Sequence, residues 1–130
     1  MKEIVDFVYS KYPHFVASYE QLLNLFTIHK DKVICVREAG EIKGVGFFLR
    51  LSDESFNKLG TLDIFTVDVM RELLKENGDN IHFIQIAADS VKTLVRGLRL
   101  LREREHPASI SGYHPDMKKL YIKREVELCQ

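Results

Sequence analysis

Residues 86–96 hold the densest set of groups able to do chemistry. The run Ile86-Ala87-Ala88-Asp89-Ser90-Val91-Lys92-Thr93 leads from a strand-like stretch into a helical one. A helix that starts there presents backbone N–H groups without intrahelical acceptors, and its dipole is positive at that end. A phosphate fits such a site. Ser90, Val91, Lys92 and Thr93 would supply the N–H groups. Lys92, Arg96 and Arg99 fall within about 60° of one helix face at 100° per residue and could hold phosphates or another anion. A plainer reading stands beside this one. Asp89 or Ser90 caps the helix, and the cations form a solvated face in which Glu103 can pair with Arg99 at i,i+4.

A second group lies near residue 114. His114 and His82 are candidate bases, because histidine titrates near neutral pH. Glu38 and Gln85 are candidates by position only. The plainer reading has Tyr113 packing at a strand end and His114 filling a turn. His14, His29, His82, His106 and His114 show no ligand spacing, so a metal site is not expected. No Gly-x-Ser-x-Gly or Walker-type run occurs.

These groups need elements to position them. Residues 2–10 read as a helix. Ser18-Tyr19-Glu20-Gln21 is a capping-box signature that opens a second helix to about Thr27. Lys32–Glu38 and Glu41–Leu51 read as a hairpin turning at Ala39-Gly40, with Gly44 and Gly46 marking a bulge or close backbone approach. Ser52–Gly60 reads as polar loop. Asp63–Asn77 reads as a helix, stopped by Gly78. Asn80–Ala88 is a strand. The helix after it runs to about Glu105, with Val91, Leu94, Val95, Leu98 and Leu101 as its apolar stripe. Pro107–Tyr113 and Lys118–Glu125 read as two last strands, turning at His114-Pro115-Asp116-Met117. Lys118, Lys119, Lys123 and Arg124 would protect the final strand from edge pairing.

Composition narrows the class. The 130 residues are 45% apolar and 29% charged, which suits one soluble domain with its own core. Nineteen basic residues balance nineteen acidic ones, so nucleic acid is not the expected partner. Cys35 and Cys129 suggest no disulfide framework. No apolar run approaches the roughly 20 residues needed to span a bilayer, and the N-terminus lacks a signal-peptide core. A cytoplasmic protein without membrane attachment is expected.

The order α, α, β, β, α, β, α, β, β resembles the GNAT superfamily, the Gcn5-related N-acyltransferases. Three stretches carry the likeness: the hairpin Val33 to Phe47, the strand–turn–helix Ile81 to Arg104, and Ala108-Ser109-Ile110-Ser111-Gly112-Tyr113, placed like the family's fifth strand. The basic last strand also resembles small phage- and prophage-encoded members. The resemblance implies a single α+β domain over residues 1–130. It would have a mixed, mainly antiparallel central sheet and helices on both faces. It implies acetyl-CoA or CoA as cofactor, held by Ile86, Ala87, Ala88, Ser90, Val91, Lys92, Thr93 and Arg96. The backbone of the family's fourth strand would orient the acyl group. It implies acetyl transfer to a small-molecule or protein amine, with Tyr113 or His114 as catalytic residues; a tyrosine there could protonate the leaving thiolate. A homodimer is left open. The family's pyrophosphate loop reads R/Q-x-x-G-x-G/A, whereas this chain has Ala88-Asp89-Ser90-Val91-Lys92-Thr93. A four-residue turn stands where the family has a helix after strand five. Those departures suit an alternative, a catalytically degenerate GNAT-like phage or prophage protein acting through protein contacts.

Overall fold

The computed structural model describes residues 1–12, 18–59, 67–114 and 119–124, with the side chains of 67 and 113–124 excepted. The chain divides into two compact units. Unit 1 comprises Met1–Phe47 and Gln85–Glu105; unit 2 comprises Phe48–Ile84 and His106–Gln130. The elements are α1 (Lys2–Lys11), α2 (Tyr19–Ile28), a 3-10 turn (Lys30–Lys32), β1 (Val33–Glu38), β2 (Glu41–Leu51), α3 (Asp53–Asn57), α4 (Val67–Leu74), β3 (Asn80–Ala88), α5 (Val91–Glu105), β4 (Ser109–His114) and β5 (Lys119–Arg124).

The five strands form one sheet in the order β1-β2-β3-β4-β5. β1 and β2 are antiparallel, from Val33 opposite Phe47 to Glu38 opposite Glu41. Their turn is tight because Ala39 and Gly40 both take positive φ, 52° and 81°. β2 and β3 also run in opposite directions, since Gly78 N–H donates to Arg50 O near one end and Asp89 N–H to Lys43 O near the other. β3 and β4 are parallel, from Asn80 opposite Ser109 to Phe83 opposite Gly112, and β4 and β5 are antiparallel. The expected mixed, mainly antiparallel α+β sheet is the one observed.

In unit 1, β1 alternates its side chains between two covered faces. Phe47, opposite Val33, stacks on Phe26 of α2 with ring centroids 4.9 Å apart. On the other face Val36 and its partner Gly44 meet α5. A Cβ at Gly44 would stand 2.8 Å from Thr93 Cγ2, and one at Gly97 would stand 3.3 Å from Val36 Cγ2. α5 therefore approaches the strands through its small residues, with Thr93 and Leu101 buried. This revises the expected stripe, because Val91 and Val95 are 76% and 48% exposed. The Ser18 capping box forms with both of its bonds, Gln21 N–H to Ser18 Oγ and Ser18 N–H to Gln21 Oε1.

Unit 2 packs Leu49, Leu51, Phe56 and Leu73 into one cluster, flanked by Ile84 and Met70. Phe56 belongs to α3, a helix in a stretch that reads as polar loop. Ser52 caps it by accepting from Ser55 N–H, and Glu76 accepts from Ser52 N–H and from Ser55 Oγ. α4 occupies Val67–Leu74, shorter than the 63–77 span expected; residues 63–66 of that span lie outside the described set.

Candidate functional site

The junction of β3 and α5 lies wholly in unit 1. Asp89 N–H donates to Lys43 O at 2.9 Å and fastens the end of β3 to β2. Backbone groups alternate along a strand, so those of Ile86 and Ala88 point to the edge away from β2. The ladder to β4 has its last pair at Phe83. Among the described residues, 85–88 continue as strand with no further pair on that side.

The helix then starts at once. Leu94 N–H donates to Ser90 O at 3.1 Å, and Thr93 N–H donates to Ser90 Oγ at 3.2 Å. Ser90 is thus the cap that the plainer reading proposed. The N–H groups of Val91 and Lys92 have no acceptor among the described residues. The helix dipole makes this end positive, the polarity that suits an anion. Asp89 would oppose an anion there, but its carboxylate is ion-paired with Lys11 Nζ. Lys43 also feels Asp89, although the larger causes raising its pKa are its hydrogen bond and attraction to Glu41. Asp89 and Glu41 are thus each paired with a lysine, Lys11 and Lys43.

The expected cofactor residues fall into three groups. Ile86, Ala88, Ser90, Val91 and Lys92 lie on the part-exposed edge and turn. Ala87 and Thr93 are buried and face the packing around Gly44. Arg96 is one helical turn further on and pairs with Glu38 at 3.5 Å. Lys11 was not foreseen as a member. Nothing near it in sequence marks it; α1 happens to end beside the turn.

His82 is buried in unit 2, and its Nδ1 is 2.7 Å from Ser111 Oγ on β4. Burial holds its pKa down to about 4. It is neutral at physiological pH, but enclosure keeps it from exchanging protons with a substrate. His29 is also lowered, first by burial and then by Lys32. Tyr113 and His114 end β4, and their side chains lie outside the described set, as does His14. Among the described residues no three His, Cys, Asp or Glu side chains group as metal ligands. No described helix is long and apolar enough to cross a membrane.

Gln85 is the residue whose place the sequence left least explained. It is 4% exposed, and its Nε2 has no hydrogen-bond partner among the described residues. A buried donor of that kind usually carries a penalty of about 1–3 kcal/mol.

This architecture is that of GNAT-like domains. Two solved structures share it. One is the GphF GNAT-like decarboxylase in complex with isobutyryl-CoA, with TM-score 0.58 and 16% identity over 86% of this chain and 62% of that one. The other is the loading GNATL domain of CurA from Lyngbya majuscula, with TM-score 0.60 and 10% identity over 86% of this chain and 58% of that one. The chain thus spans less than two thirds of either. No family model matches the chain, and no curated protein matches it by sequence.

Proposed function

We propose that this chain is an acyl-CoA-binding GNAT-like domain spanning residues 1–130. The observation that carries the reading is the β3–α5 junction of unit 1. There a strand edge at 85–88, with no β4 pair among the described residues, leads directly to the N–H groups of Val91 and Lys92. The edge suits an amide-bearing arm, and the helix start suits a pyrophosphate. The likeness to a structure holding isobutyryl-CoA supports the same ligand class.

The reaction proposed is acetyl transfer from acetyl-CoA to an amine. The neutral amine attacks the thioester carbonyl, a C–N bond forms, and the C–S bond breaks. The amine loses a proton, and the thiolate of CoA takes one up. Tyr113 or His114 supplies the thiolate's proton. His82 is not assigned a part, since it is buried and engaged with Ser111.

A second reading rests on the turn itself. Ser90 already occupies Thr93 N–H, and the loop has no glycine between Ala87 and Lys92. This favours a catalytically degenerate protein acting through protein contacts, like the small phage and prophage members it resembles. Titration calorimetry with acetyl-CoA and CoA tests the first reading. Saturable heat at micromolar to millimolar ligand is expected, and a folded protein that gives none overturns it. Turnover on an amine panel then separates the two.

A further inference from the structure

We propose that the outward face of α5 is a docking surface for an acidic amphipathic helix of a partner protein. At 100° per residue, Thr93, Gly97 and Leu101 define the face turned to the sheet. Val91 and Val95 lie on the opposite side, 76% and 48% exposed and one turn apart. At the same 100° per residue Lys92, Arg96 and Arg99 border them along one side, with Glu103 among the cations.

An exposed apolar pair is ordinary by itself. This one sits on a 15-residue helix about 22 Å long, beside a strip of cations. Lys92 and Arg99 have no ion-pair partner among the described residues, and Arg96 meets Glu38 only at 3.5 Å between two exposed groups. Exposed pairs of that sort contribute about 0–1 kcal/mol, so Arg96 can exchange its partner readily. Charge complementarity calls for carboxylates opposite the cations. The valines at i,i+4 call for apolar side chains at the same spacing. An amphipathic helix with glutamates beside its apolar stripe meets both demands. A polyanion meets only the first: it leaves Val91 and Val95 unmatched and sets phosphates against Glu103. The inference does not depend on acyl-CoA binding.

The test is selection from a displayed library of helices of about 18 residues, some five turns. Apolar residues are fixed at i, i+4 and i+7, and the other positions are drawn from Glu, Gln, Lys and Ala. Binders selected on the wild-type protein are re-measured against V95E and R99E, each checked for unchanged thermal melting. Enriched helices rich in Glu, weakened about tenfold by either variant, are the expected result. No enrichment, Lys-rich binders, or binders indifferent to both variants overturn the proposal. So does R99E-sensitive retention of duplex DNA, or of vesicles with about one third phosphatidylserine, stronger than that of the selected helices.

Discussion

The two halves of β3 use their polar side chains in opposite ways. In the first half, within unit 2, Asn80 Nδ2 donates to Leu51 O at 3.2 Å and to Asp53 Oδ1 at 2.8 Å, and His82 meets Ser111 at 2.7 Å. Both are buried, and these bonds tie them to neighbouring elements. In the second half, within unit 1, Gln85 is equally buried and its amide nitrogen has no partner among the described residues. The first half joins β4 residue by residue, and the second runs on without it. A single strand thus combines a fastened segment with one whose bonding capacity is left over.

The comparison can be broken most forcefully at its fastened end. A Cβ at Gly78 would collide with the Leu51 carbonyl and the Ser52 nitrogen, which are backbone and cannot swing aside. Gly78→Ala should lower unfolding stability by more than about 3 kcal/mol in urea denaturation. Gly40→Ala, at a positive φ with open space around it, should lose only about 1–2 kcal/mol.

Acid should act next. The unfolded His82 imidazole protonates near pH 6.5 and the folded one near 4. Between those values the unfolded chain binds the additional proton. Stability should therefore fall as pH drops from about 6.5 to about 4, by about 3 kcal/mol from this group. Above pH 6.5 the group contributes no slope. His82→Gln, measured by denaturation across that range, should remove most of the slope; an undiminished slope would assign it to other groups.

Smaller still is the contrast between the two buried amides. Asn80→Ala abandons two bonds and should destabilise by about 1–2 kcal/mol. Gln85→Leu removes an unpaired donor and should be neutral or stabilising by up to about 1 kcal/mol. Equal losses in thermal and urea unfolding would erase the distinction between the halves. The smallest expected effect is Lys92→Ala, with melting within about 1 °C of wild type and acetyl-CoA affinity down about threefold to tenfold by calorimetry.

The positions of β1, β2, β3 and α5 were legible because local rules and tertiary packing agree there. The Ser18 box, the Ala39-Gly40 turn and the alternation of the hairpin all act over a few residues. α3 is short and polar apart from Phe56, and besides the local Ser52 cap it leans on Glu76, which reaches Ser52 and Ser55 from beyond α4, and on the packing of Phe56. The stripe of α5 was misplaced for a different reason. Counting apolar residues favours Val91 and Val95, but close approach to a strand selects small ones, Thr93 and Gly97. The candidate site was legible as a helix start following a strand. Its charge balance was not, since Lys11 reaches Asp89 only after folding. Gln85 could be named by position, yet no sequence pattern says that a buried amide lacks a partner.

Gly44 and Gly97 have one more consequence. They confine the inner face of α5 to residues no bulkier than those present, while the outer face carries no such limit. Substitution can therefore accumulate at Val95 or Arg99 without disturbing the helix seat. What the protein recognises there is free to diversify under selection, on a scaffold whose own tolerance for change is set by two hydrogen-sized side chains.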